Sequence, residues 1–227
     1  MNSPVQLTAF ALQDVAGDSL LQETPYPVVA PRTIETLMLV VQYARIEGLK
    51  VVVLGAGSSF ADNFRLPHHR VLAVMTYRLG GIQQLSPYTI RILSGTSITR
   101  LFGSNAITPH RTIGGLIAGG RLDRDSVASL ILSHLLTLEI INPEAKIVRL
   151  AGPGAASSDD PGLARAVFGS KGHFGVITAI EVARSLPREI KSEPGPEVFT
   201  PAASTYESPI KPTDICRLFD PDGLFAW

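Results

Sequence analysis

The stretch Val51-Val52-Val53-Leu54-Gly55-Ala56-Gly57-Ser58-Ser59-Phe60 decides the fold. Its first four residues are apolar on both faces and too few for a helix, as in a strand buried within a parallel sheet. Just upstream, Ile34, Leu37, Met38, Val41 and Ala44 recur at helical spacing behind Pro31 and Thr33. Glu35 suits the positive N-terminal end of that helix, and Gly48 stops it. Val28-Val29, bracketed by Pro25, Pro27 and Pro31, reads as a short extended run before it. Strand, helix, strand is a βαβ unit. Further β-branched runs at Val71–Thr76, Thr89–Leu93, Thr137–Ile141, Ile147–Leu150 and Val176–Val182 predict strands, and Pro161–Val167 predicts a short helix. The predicted class is α/β passing into strand-rich α+β, with no internal repeat of fixed period.

The residues after the first buried strand carry the chemistry. Glycines at Gly55 and Gly57 let backbone N–H groups turn toward an anion with no Cβ in the way, and Ser58 and Ser59 add hydroxyl donors. A pyrophosphate nest and a plain tight turn both fit this run taken alone. It is not a dinucleotide fingerprint of the Rossmann type. Phe60 stands where the third glycine belongs, no helical pattern follows before Pro67, and no acidic residue closes a second strand about 20 residues on. Two more glycine clusters lie downstream, at Thr112-Ile113-Gly114-Gly115-Leu116-Ile117-Ala118-Gly119-Gly120 and at Gly169-Ser170-Lys171-Gly172-His173-Phe174-Gly175. The second opens the strand at Val176. Three separated clusters are more than turns alone require.

Composition narrows the function. The chain has 227 residues with 45% hydrophobic side chains, and its mass of 24.3 kDa and mean hydropathy of +0.21 fit one cored domain, divisible into two lobes. Lys+Arg 20 against Asp+Glu 20 leaves none of the basic surplus that nucleic-acid binding needs. Charged residues at 18% fall below the usual level and point to a partner surface. The single Cys216 excludes an internal disulfide or a cysteine zinc site and fits a reducing, cytoplasmic compartment. Residues 1–20 lack the basic and apolar regions of a signal peptide, and the most apolar run, Leu130 to Ile141, is broken by Ser133, His134 and Glu139, so no membrane span is expected.

Three runs together resemble a family: PVVAPRTIETLMLVVQYARIEGLKVVVLGAGSS from Pro27, TIGGLIAGG from Thr112, and AVFGSKGHFGVITAIEVA from Ala166. They look like the FAD-binding domain of the vanillyl-alcohol oxidase and para-cresol methylhydroxylase (PCMH-type) flavoprotein superfamily. Phe219-Asp220-Pro221-Asp222-Gly223-Leu224-Phe225 is similar to the closing segment of bacterial members, which include flavin subunits of glycolate and lactate dehydrogenases. The resemblance implies an N-terminal extension over 1–24, a two-lobed flavin domain over 25–185 with lobes at about 25–78 and 79–185, and a proline-rich irregular tail over 186–227. It implies that Gly55, Ala56, Gly57, Ser58 and Ser59 hold the pyrophosphate of FAD. Thr112, Ile113, Gly114 and Gly115 would continue the cradle, and Gly175, Val176 and Ile177 would meet the cofactor through main-chain atoms. The implied activity is hydride acceptance from a small organic substrate, a 2-hydroxy acid being the leading class.

The chain also departs from that pattern. Covalent members carry a histidine where this loop has Ser58, so the FAD is expected to be noncovalent. Family oxidases insert a substrate or cap domain after the strand at Val176–Val182, whereas only the proline-rich stretch follows here, so a partner chain or self-association is expected to complete the site. The segment from Leu101 to Pro109 is compressed against the family. No catalytic base is assigned, and a non-catalytic flavin module serving as a binding or scaffold subunit is the alternative. His173 is either a proton donor or an imidazole filling space, and Arg111 either offsets phosphate charge or is solvated. His68-His69 reads as a surface loop and not a metal site, His134 as a satisfied core residue, and Ser58 and Ser59 lack a nucleophile-elbow context. Tyr77 and Arg78 carry no assignment.

Overall fold

The computed structural model describes residues 12–21, 27–57, 70–103, 111–120, 122, 126–155, 162–186, 220 and 223–225. Two sheets organise it. The first has four strands, β1 (Leu20–Leu21), β2 (Val28–Val29), β3 (Lys50–Leu54) and β4 (Val71–Met75), in the order β1-β2-β4-β3. β2, β4 and β3 run parallel, and β1 is antiparallel to β2. A helical turn over 12–16 (α1) and the helix α2 (Ile34–Ile46) cover one face.

The expected βαβ unit is present and its boundaries have local causes. The Thr33 side chain accepts from the Thr36 N–H at 3.1 Å, which caps α2, and Gly48 turns the chain out with φ +61. Leu37, Val40, Val41 and Ala44 then bury against Val51, Leu72 and Val74, each large side chain contributing about 1.5–3 kcal/mol of transfer free energy. The far end of the chain joins this lobe: the Val51 N–H donates to the Leu224 carbonyl at 2.8 Å, and Phe225 bridges to Val51 in parallel. Both Asp220 carboxylate oxygens accept, from the N–H groups of Leu224 and Phe225, at 2.7 and 2.8 Å. The Lys50 ammonium donates to the Gly223 carbonyl.

The second sheet is antiparallel throughout. It holds β5 (Ile82–Gln84), β6 (Thr89–Leu93), β7 (Leu135–Ile141), β8 (Ile147–Ala151) and β9 (Val176–Ala183), in the order β5-β6-β9-β7-β8. Helices α3 (Ile98–Phe102), α4 (Ile113–Gly119), α5 (Ser126–His134) and α6 (Gly162–Val167) accompany it. Ile92, Leu138 and Ile180 from the strands meet Ile113, Leu116, Ile117, Ile131 and Val167 in the larger core. The apolar run at Leu130–Ile141 is two elements, the last turns of α5 followed by β7, which begins two residues before the predicted strand. His134 ends α5 half-buried, its Nδ1 3.0 Å from the Leu130 carbonyl, a satisfied histidine at a helix end and not in the core.

The other face of this sheet is ionic. Glu139 on β7 is 3% exposed, yet it accepts from Arg91 at 2.7 Å, from Arg149 at 3.2 Å and from the Thr178 hydroxyl at 2.8 Å. Burial by itself would raise its pKa. The hydrogen bonds from Thr178 and Arg91, the Arg91 charge and the Arg149 bond outweigh that and hold it below the usual carboxylate value. No helix among the described residues is long and apolar enough to cross a membrane.

Candidate functional site

All three glycine clusters reach one cleft of about 390 Å3 between the lobes, within the range of small-molecule sites. β3 delivers Gly55, Ala56 and Gly57 to one wall, α4 delivers Thr112, Gly114 and Gly115, and the turn before β9 delivers Gly175 and Ile177. Ile113 and Val176 do not line it. Ile113 is turned into the larger core, and Val176, opposite in side-chain direction to Ile177 on the same strand, packs into the core of the first lobe. Ser58 and Ser59 lie outside the described residues.

The glycines are required by close approach. A Cβ at Gly55 would stand 2.5 Å from the Thr112 hydroxyl and 3.2 Å from Gly115 Cα, so the first two clusters touch through bare backbone. At Gly114 it would stand 2.8 Å from Ser94 Cβ.

Their N–H groups differ in use. In the second cluster Ile113 donates to the Thr96 carbonyl at 2.9 Å, Gly114 to the Ser94 carbonyl at 2.8 Å, and Gly115 to the Thr112 hydroxyl at 3.1 Å. In the third, Gly169, Lys171 and Gly175 donate to the carbonyls of Ile117, Ala118 and Gly172 at 2.8, 2.7 and 3.0 Å. The N–H groups of Gly55, Ala56 and Gly57 have no hydrogen-bond partner among the described residues. The first loop therefore has donors that the described residues do not use, while most of those in the other two clusters are bonded within the protein.

A family model described as an FAD binding domain matches residues 25–151, more than half of the chain. The chain belongs to this FAD-binding domain family. The flavin-domain resemblance is thus borne out, with the first two glycine motifs inside the matched residues and the third beyond them. Curated proteins gave no match. Among solved structures, a variant of Phl p 4 described as a glucose oxidase superposes with a TM-score of 0.54 at 16% identity, over 80% of this chain and 40% of that one. At that identity the likeness speaks for the fold, which agrees with the expected two-lobed α/β to α+β architecture. This FAD-binding domain spans two fifths of that structure's chain.

What the domain offers fits FAD. Gly55, Ala56 and Gly57, whose N–H groups have no partner among the described residues, line the cleft, its walls carry glycines where a Cβ would collide, and the charged side chains among the described lining residues are cations, Arg111 and Lys171. Arg111, read from the sequence as either offsetting phosphate charge or solvated, lines the cleft and is half-buried. Lys171, Thr76, Ala118 and Gly119 also line the cleft and were not among the expected site residues. Lys171 had a signal, a cation inside a glycine cluster.

Other residues lie elsewhere. His173 is half-buried in the turn before β9, its N–H donating to the Ser170 carbonyl at 3.2 Å, and does not line the cleft. Arg78 stacks on Tyr77, 5.6 Å from the ring centroid, and donates to the Asp18 carbonyl, which ties the end of β4 to the N-terminal segment. His68 and His69 lie outside the described residues, and among the described residues no three His, Cys, Asp or Glu side chains are grouped to hold a metal.

Proposed function

We propose that the cleft holds FAD noncovalently and that the domain is the flavin-bearing unit of an oxidoreductase acting on a small organic substrate, with 2-hydroxy acids the first class to test. The observation that carries this is the convergence of three glycine clusters on one cleft, with the donors of Gly55, Ala56 and Gly57 left for an anion. Bound FAD would supply the hydride acceptor. The chain's own residues would orient it: the first loop by donating to the pyrophosphate, Thr112 and Gly115 by fixing the wall opposite, and Ile177 by excluding water. The identity of Ser58 supports noncovalent attachment, since a serine cannot form a histidyl linkage. A partner chain or a second copy of this one would enclose the substrate side, and the lone Cys216 is consistent with a cytoplasmic setting.

A second reading has its own observation. Among the described lining residues there is no Asp, Glu or His to take a proton from a substrate, which favours a module that binds FAD and serves as a scaffold without turnover. Visible absorption of the purified protein, repeated on the supernatant after acid precipitation, tests the shared premise: flavin bands that move into the supernatant are expected. A colourless protein that takes up no added FAD would sink both readings. Dye reduction with a panel of 2-hydroxy acids then separates them, since silence with FAD bound leaves the scaffold.

A further inference from the structure

Strand β9 changes face part-way along, and the change falls beside the cleft. Its pairing with β7 sets Ile180 against Leu138 and Ala179 against Glu139, then jumps to Ile177 against Ile140 and Val176 against Ile141. Thr178 is the extra residue, a β-bulge on β9. Residues paired directly point to one face of a sheet, and one inserted residue reverses the face shown by the rest of the strand. After the bulge, Ile180 and Val182 enter the larger core, and Glu181 meets Arg91 on the ionic face. Before it, Ile177 enters that core and lines the cleft, while Val176 packs into the first lobe. An unbroken alternation carried back from Ile180 would exchange these two side chains.

The bulge is pinned by a side chain. Thr178 is fully buried, and its hydroxyl lies 2.8 Å from Glu139 Oε1 and 3.2 Å from the Glu139 carbonyl. Arg91 and Arg149 hold the same carboxylate. The Thr178 carbonyl accepts from the Ser94 N–H at 2.8 Å, and the Ser94 carbonyl accepts from the Gly114 N–H at 2.8 Å. Thr178 is thus tied to two walls of the cleft, to Ile177 along the chain and to α4 through Ser94.

We propose that Thr178 is a positioning residue for the cofactor: its hydroxyl, held by Glu139, fixes the bulge that sets Ile177 and the α4 wall about the cleft. This rests on the reading of the cleft as an FAD site. Valine has the same branched shape and suits a strand equally well, so the hydroxyl is what threonine adds at this position. Bulges recur beside active sites, where they re-aim side chains.

The test measures three quantities on the full chain and its variants: Kd for FAD by flavin fluorescence titration, visible circular dichroism of the bound flavin, and melting temperature without FAD. Thr178→Val is expected to weaken FAD binding about tenfold, the equivalent of one lost hydrogen bond, and to change the dichroism of the flavin. Thr178→Ser keeps the hydroxyl and should restore both. Thr178→Ala serves the same arm if the valine variant does not fold. A variant that melts earlier, yet binds FAD with unaltered affinity and dichroism well below its melting temperature, would show that Thr178 only supports the sheet and would overturn the proposal. So would a loss of affinity that serine does not repair. If the unaltered protein takes up no FAD, the FAD reading fails first and the positioning role with it.

Discussion

In the loop after β3, three glycine-cluster N–H groups stand without an intramolecular partner among the described residues, whereas in the turn leading into α4 the corresponding groups all donate within the protein. Both segments face the same cleft and both depend on glycine. Gly55 needs the absent Cβ so that Thr112 and Gly115 can approach, and Gly114 needs it so that its backbone can meet Ser94. Both are packing requirements, and the two segments differ instead in which N–H groups the described protein uses. The sheet of the second lobe is anchored on both faces, by the larger core on one and by the Glu139 network on the other.

The largest effect should come from that anchoring face. Glu139→Ala leaves the mostly buried Arg91 without its 2.7 Å partner, and a loss of about 3 kcal/mol in urea unfolding is expected. A change below about 1 kcal/mol, the level of a surface pair, would show that the network does not anchor the sheet. The same carboxylate predicts a pH signature. Its folded pKa lies below its ordinary value of 4.5, so its stabilisation is present above that value and disappears as pH falls through the lowered one. Glu139→Gln should flatten the stability profile there; an unchanged slope would assign acid sensitivity elsewhere.

Next in size is Gly114→Ala, whose new methyl would collide with Ser94 Cβ. Overpacking of this kind costs about 2 kcal/mol, and the melting temperature should fall while FAD affinity, measured well below melting, holds. Affinity lost without stability would erase the distinction between the two segments. The smallest stability change is expected for Gly57→Ala, where a left-handed φ of +78 costs a non-glycine residue about 1–2 kcal/mol. Here FAD binding should suffer more than melting, measured by flavin fluorescence titration, and the reverse ranking would deny the first loop its role as donor.

Elements held by local rules were legible in the sequence. α2 shows a one-sided apolar stripe, a threonine cap and a terminal glycine, and β3 an unbroken apolar run, so each reports itself within a few residues. α4 does not, because glycine disfavours helix by about 1 kcal/mol per residue. It forms around the Thr112 cap and is held by the carbonyls of Ser94 and Thr96, contacts that no window around residue 113 contains. The α5 to β7 junction was hidden because one apolar run serves a helix and then a strand. At the site, Gly55, Gly57, Gly114 and Gly115 were legible from composition alone. The split between used and unused N–H groups was not, since it depends on which carbonyl lies opposite each N–H. Lys171 is visible in the sequence as a cation inside a glycine cluster, but its left-handed backbone and its position over the end of α4 are not.

The pairing of the closing residues with Val51 reaches beyond the stability of one lobe. β3 is the outermost strand of the first sheet, and its Val-Val-Val-Leu run would otherwise show a free ladder edge of high β-propensity. Leu224 and Phe225 pair with it at Val51, with Asp220 occupying their N–H groups, so the start of that edge is not offered to other chains. The closing segment thus acts as a guard against self-association into larger β-structures, and a chain trimmed there would betray itself first by turbidity in concentrated solution.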